Sequence, residues 1–203
     1  MEDVSAGPRV AALLLAAGGG RRLGGRPKAL LRHHGRPLVE HAVRVLREGG
    51  CLPAVRVVLG AAAAEVREQA ELPGCVLLEN PDWARGMGSS LRTGLRELPG
   101  SGADAALVFL VDQPGIGPEA VARVLAAARS PGTLAAASYG GRRGHPVLLG
   151  RTHWAGVAAA AAGDHGARDY LRTHAARLEL VECGDVADPA DVDTPGDLSR
   201  LTP

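Results

Sequence analysis

Short runs rich in Val, Leu and Ala recur at 10–16, 55–59, 76–78, 105–111, 134–138, 146–149 and 178–182, interrupted by charge only at Arg56, Glu179 and Glu182. Unalternating runs of this length are strands covered on both faces, as in a mostly parallel sheet. The segments between them carry helical signals. Pro37 opens a helix whose apolar face includes Leu38, Ala42, Val45 and Leu46, and Gly49-Gly50 closes it. The Ala-rich stretch 61–72 is helical by propensity. Ser90 is expected to cap a helix carrying Leu91, Leu95 and Leu98, stopped by Pro99-Gly100. Pro118 starts a helix through Ala128, and Thr152 another through Ala162. The alternation predicts an α/β fold, a mostly parallel central sheet with helices on both faces. With no internal repeat and no dividing linker, 1–203 reads as a single domain with 1–8 as a tail.

Composition narrows the function. A 46% hydrophobic share over 203 residues supports a core without crosslinks. A formal net charge of +1 supplies no global field for nucleic acid or an anionic membrane, and 2% aromatics supply no base-stacking platform. Cys51, Cys75 and Cys183 are odd in number and lack a C-x-x-C, which excludes a disulfide framework and a zinc ribbon; they read as small core hydrophobes. The opening MEDVSAGPRV is acidic where a signal peptide is basic, and the apolar run after it is too short for a bilayer. A soluble protein of the reducing cytoplasm is expected.

The chemistry concentrates where the first strand ends, in Leu15-Ala16-Ala17-Gly18-Gly19-Gly20-Arg21-Arg22-Leu23-Gly24-Gly25-Arg26-Pro27-Lys28. Glycines let backbone N–H groups approach an anion, and the cations supply the counter-charge of a triphosphate. A Walker A loop does not fit, because Lys28 is followed by Ala29; a dinucleotide fingerprint does not fit, because its third glycine falls on Leu23. Arg22 and Lys28 are expected to be exposed until nucleotide arrives, so that removing either costs only about half a kcal/mol of stability. Asp112 ends the apolar run 105–111, an expensive place for a carboxylate unless a cation meets it; a hard divalent metal bridging to phosphate accounts for it, and a turn-capping role is the alternative. In Asp191-Val192-Asp193-Thr194-Pro195-Gly196-Asp197, helix initiation accounts for Thr194 and Pro195 and, through the helix dipole, Asp197, but not for Asp193. His33, His34 and His41 share no ligand spacing with a carboxylate or cysteine and read as solvated loop histidines.

Taken in order, Leu15-Ala16-Ala17-Gly18-x-Gly20-x-Arg22-Leu23-Gly24-x-x-Pro27-Lys28, Asn80-Pro81-x-Trp83-x-x-Gly86-Met87-x-x-Ser90-Leu91, Asp112-Gln113-Pro114, Gly144-His145-Pro146, Gly163-Asp164-x-Gly166-Ala167-Arg168 and Asp191-Val192-Asp193-Thr194-Pro195 resemble the MobA-like nucleotidyltransferases of the Rossmann-like glycosyltransferase-A fold. The resemblance runs from about residue 10 to 201. It implies transfer of a nucleotide from a nucleoside triphosphate to the phosphate of a molybdopterin-type cofactor, with Mg²⁺ and possible delivery to a client molybdoenzyme. It implies that Leu15, Ala16, Ala17, Gly18, Gly20, Arg22 and Lys28 hold the triphosphate and that Asn80, Gly86, Met87 and Ser90 border base and ribose. It further implies Asp112 and Asp193 as the metal carboxylates, with Asp191 the substitute for Asp193, and His145 beside the acceptor, for which a hairpin turn with a surface basic cluster is the alternative. The Asp112-Gln113-Pro114 form, with Val111 where guanylyltransferases usually show cysteine, is similar to the cytidylyltransferases and implies CTP. A GTP-using molybdenum cofactor enzyme, a sugar- or alcohol-phosphate nucleotidyltransferase and a non-catalytic nucleotide-binding cofactor chaperone are the competing readings.

Overall fold

Strand β1 (Val10–Ala16) is buried at every position because a helical layer covers each face: Val10, Ala12, Leu14 and Ala16 enter one core, and Ala11, Leu13 and Leu15 the other. The computed structural model describes residues 7–201, so most of the expected tail, 1–6, lies outside the described residues. Among these residues a two-stranded ribbon, β2 (Arg32–His33) and β3 (Arg36–Pro37), stands apart from one seven-stranded sheet. The sheet contains β1, β4 (Arg56–Leu59), β5 (Val76–Glu79), β6 (Ala105–Leu110), β7 (Leu134–Tyr139), β8 (Arg142–Gly150) and β9 (Leu178–Glu182), in the order β5-β4-β1-β6-β8-β7-β9. Only β8 runs against its neighbours, β6 and β7.

Helices α1 (Leu38–Glu48), α2 (Ala63–Gln69) and α4 (Pro118–Ala126) pack on one face, and α3 (Met87–Arg96), α5 (Trp154–Ala160) and α6 (Arg168–Thr173) on the other. From β1 the chain builds outward through β4 to β5, then returns to place β6 on the opposite side of β1. That reversal between β1 and β6 is a topological switch point, and its crevice lies outside the carboxyl ends of the two strands, where α/β sheets bind ligands.

Several local expectations change. Ser90 is not the cap of α3: Gly86, at φ 96°, occupies that place, and Ser90 lies inside the helix while Leu98 lies beyond it. The buried Asn80 side chain donates to Ser89 Oγ at 2.8 Å and Ser90 Oγ at 3.0 Å, so a tertiary contact uses the hydroxyls that capping would have claimed. Helix α2 is shorter than 61–72, and the segment expected to be helical from Thr152 starts as a 3₁₀ turn, Arg151–His153. His33 is buried rather than solvated, with its ring 4.9 Å from that of the half-buried His41; burial lowers both, His41 to about 4. Cys51 and Cys183 are buried as expected, whereas Cys75 is only half-buried beside Arg47.

Candidate active site

The segment leaving β1 turns sharply because Gly20 and Gly24 adopt left-handed φ values of 58° and 69°, which an L side chain rarely tolerates. The Gly20 carbonyl accepts from Leu23 N at 2.8 Å and Gly25 N at 3.0 Å, folding the loop onto itself. Leu23, at the position that fails the dinucleotide fingerprint, is the buried anchor of this turn. Trp83 packs against Gly19 so closely that a Cβ there would lie 3.1 Å from its ring. The loop is thus fixed in an open curve over the crevice.

Lys28 reaches from the far end of the loop to both carboxylates: Nζ donates to Asp112 Oδ2 at 2.7 Å and to Asp193 Oδ1 at 2.8 Å. Arg22 pairs with the other oxygen of Asp193. Residues far apart in the chain therefore converge on one point. What brings them there is backbone: Val192 N donates to Asp112 O at 2.8 Å, and the buried Gln113 side chain donates to Pro189 O at 2.9 Å and Asp191 Oδ1 at 2.8 Å. Asp197 accepts from the backbone N–H groups of Asp193 and Thr194, so its part is direct hydrogen bonding that fixes Asp193, more than the dipole complementarity expected.

The electrostatics follow from this geometry. Burial alone would push Lys28 down, but the attraction of Asp112 and Asp193 outweighs it and holds the ammonium above its ordinary value. Hydrogen bonding from Lys28, helped by Arg22, holds Asp193 below the usual carboxylate range. Desolvation and the neighbouring Asp112 charge raise Asp191. The expectation of two exposed cations is corrected for one of them: the Lys28 side chain is 14% exposed and paired, whereas Arg22 is 75% exposed.

A cavity of about 860 Å³ opens over this cluster. Leu15, Ala17, Gly18, Gly20, Arg22, Lys28, Gly86, Met87, Ser90, Asp112 and Asp193 all line it, as does Asp191. Two of the nucleotide-binding candidates do not: Ala16 points into the core on the α1 side, and Asn80 lies beneath the wall, its amide spent on Ser89 and Ser90. His145 lines a smaller adjoining hollow, and burial lowers its imidazole to about 4. The sequence reading passed over Trp83, Gln113, Asp164 and Arg168 as site residues, although each stood within one of the motifs that carry the family resemblance. Among the described residues no group of three His, Cys, Asp or Glu side chains is arranged to hold a metal by itself. Two carboxylates that already converge on one cationic centre do suit a hard divalent ion completed by phosphate oxygens and water. None of the helices among the described residues is long and apolar enough to cross a membrane.

Known proteins resemble the chain over most of its length. The MobA-like NTP transferase domain matches residues 12–178. A protein of Paenarthrobacter nicotinovorans named nicotine blue oxidoreductase is 41% identical over 96% of this chain and 97% of its own. A molybdenum cofactor guanylyltransferase of Acidiphilium cryptum is 35% identical over 73% of this chain and 70% of its own. The crystal structure of the Rv0371C complex with manganese from Mycobacterium tuberculosis H37Rv superposes with a TM-score of 0.73 at 28% identity, covering 95% of this chain and 97% of that one.

Proposed function

Because the chain belongs to the MobA-like NTP transferase domain family, we propose that it transfers CMP from CTP to the phosphate of a molybdopterin-type acceptor and releases pyrophosphate, with Mg²⁺ as the metal. The observation that carries this reading is the convergence of Asp112, Asp193 and Lys28 beneath the glycine loop, in a cavity spacious enough for a nucleoside triphosphate. An oxygen of the acceptor phosphate forms a bond to the α-phosphorus, the bond from that phosphorus to the bridging oxygen breaks, and the electron pair leaves with pyrophosphate. An ionised phosphate needs no general base, so positioning and charge neutralisation carry the reaction. The backbone N–H groups of the loop hold the triphosphate oxygens, and Arg22 and Lys28 neutralise charge on the leaving group. Asp112 and Asp193 would hold Mg²⁺, which when bound neutralises phosphate charge; the manganese complex of the structural relative supports a divalent ion here.

CTP rests on the Val111-Asp112-Gln113-Pro114 resemblance, and the relatives named guanylyltransferases favour GTP as the competing donor. A second reading, an oxidoreductase, is favoured by the 41% identity to nicotine blue oxidoreductase. Against its use of a dinucleotide in the glycine loop stands the buried Leu23 at the third fingerprint position. A thermal-shift panel of CTP, GTP, ATP and UTP with Mg²⁺ separates the readings, since ligand at 100 times its Kd stabilises the native state by about 2.7 kcal/mol. We expect the largest shift with CTP, and pyrophosphate release when molybdopterin is added. A larger shift and faster release with GTP would make this the guanylyl activity. No shift with any triphosphate, together with turnover of nicotine blue in the presence of a reductant, would establish the second reading.

A further inference from the structure

The motif Gly163-Asp164-x-Gly166-Ala167-Arg168 has no part in the chemistry derived so far. It forms one side of a second hollow of about 180 Å³, whose apolar lining includes Leu15, Val108, Val147 and Leu171. That volume is below the usual range for drug-sized ligands, so it accommodates one compact ring system and not a nucleotide. The hollow adjoins the nucleotide cavity, and Arg168 is the one cation that lines both.

The state of that cation matters. Arg22 and Lys28 each pair with a carboxylate of the proposed metal site, whereas Arg168, like Arg21, Arg85 and Arg143, has no ion-pair partner among the described residues, and of these only Arg168 borders both hollows. An unpaired guanidinium presents a planar fork of donors matched to two phosphate oxygens. Asp164 shares the same wall. Its charge has the wrong sign for a phosphate and the right one for ring N–H donors. His145, neutral above about pH 4, adds a ring nitrogen to the hollow without competing for the anion.

Building on the transfer reaction above, we propose that Arg168 grips the acceptor's phosphate at the boundary of the two hollows while the acceptor's flat ring occupies the smaller one. Held there, the phosphate faces the donor cavity and its attack becomes effectively intramolecular. Arg168 is then a residue of acceptor recognition, with no role in holding the donor.

The test uses Arg168→Ala, Arg168→Lys and Ala167→Leu. Ala167 lines only the smaller hollow, in a right-handed helical conformation that any residue accepts, so leucine there narrows the ring site without entering the donor cavity. Calorimetry reads CTP with Mg²⁺, fluorescence titration reads molybdopterin on nucleotide-loaded protein, and steady-state kinetics read KM for each. Arg168→Ala should weaken molybdopterin binding by about 10-fold or more and raise its KM, leaving CTP binding within about two-fold. Arg168→Lys should recover part of this loss, because the charge returns without the fork. Ala167→Leu should weaken molybdopterin alone, and molybdopterin stripped of its phosphate should bind wild type and Arg168→Ala alike. Equal losses of CTP and molybdopterin in Arg168→Ala, or unchanged molybdopterin binding, would overturn the proposal, as would a wild type that does not bind molybdopterin. A wild type that binds molybdopterin yet transfers from neither CTP nor GTP would refute the proposed function, while the binding titrations would still decide the role of Arg168.

Discussion

Replacing Lys28 by methionine keeps the aliphatic stem and removes the one ammonium held between two carboxylates. The side chains of Lys28, Asp112 and Asp193 are 14, 20 and 35% exposed, so solvent screens Asp193 more than the other two. Breaking a fully buried pair costs about 3–5 kcal/mol, and a surface pair is worth about 0–1 kcal/mol. The arrangement falls between these limits, and the exposure of Asp193 pulls it toward the lower one, giving about 1–2 kcal/mol. For a chain of this size each kcal/mol moves Tm by about 2–4 °C, so Lys28→Met should melt about 5 °C below wild type. Differential scanning fluorimetry at pH 7 and low salt, with and without Mg²⁺, reads the effect. Mg²⁺ should restore Tm more in the variant than in wild type, since it can neutralise the two carboxylates that Lys28→Met leaves facing each other. Arg22→Ala is the control: at 75% exposure it should change stability by no more than about 0.5 kcal/mol. A Lys28→Met variant melting with wild type, or an Arg22→Ala variant falling as far, would refute the assignment of Lys28 as the cation of this cluster.

The same cluster sets a pH window. Asp193 is held below its ordinary 3.8 and Lys28 above its ordinary 10.5, so their contribution is full between those values; it is lost as pH falls through the lowered Asp193 value or rises through the raised Lys28 value. The difference in urea midpoint between wild type and Asp193→Asn should be flat from pH 5 to about 9 and shrink in acid; a change centred near pH 6–7 would contradict it. Asp112→Asn and Asp193→Asn should each abolish most Mg²⁺-dependent pyrophosphate release, partly rescued by excess Mg²⁺, with circular dichroism spectra like wild type; normal turnover in Asp193→Asn would move the role to Asp191. Gly20→Ala should weaken CTP binding by about 10-fold or more, because its left-handed φ is joined by overlap of the new Cβ with the Arg26 carbonyl, whereas Gly24→Ala, strained but opening on free space, should bind much closer to wild type. Calorimetry showing equal losses in both variants would mean that Gly20 contributes conformational freedom alone.

The sequence by itself determined the strands and most of the helices, because strands covered on both faces write themselves as unbroken apolar runs and the helices between as amphipathic ones: the bounds of β1 fall where its run predicted, and so do those of β9, although that edge strand carries Glu179 and Glu182 and is only partly buried. It also determined that the charged chemistry belongs at strand ends, since glycines beside Arg22 and Lys28, and a carboxylate after residues 105–111, have no place inside a core. Short elements were illegible: the Arg32–Pro37 ribbon and the six-residue α6 hold too few residues for a period to show. What Ser90 and Asn80 do was decided by a contact between a loop and a helix that no local rule weighs against capping. Only the tertiary structure could decide that Lys28 is committed to both Asp112 and Asp193, because that convergence depends on the order of β1 and β6 in the sheet and on the Val192-to-Asp112 hydrogen bond. It alone left Arg168 unpaired at the boundary of two hollows, for ion pairing is settled by which charges the fold brings within reach and not by their spacing along the chain.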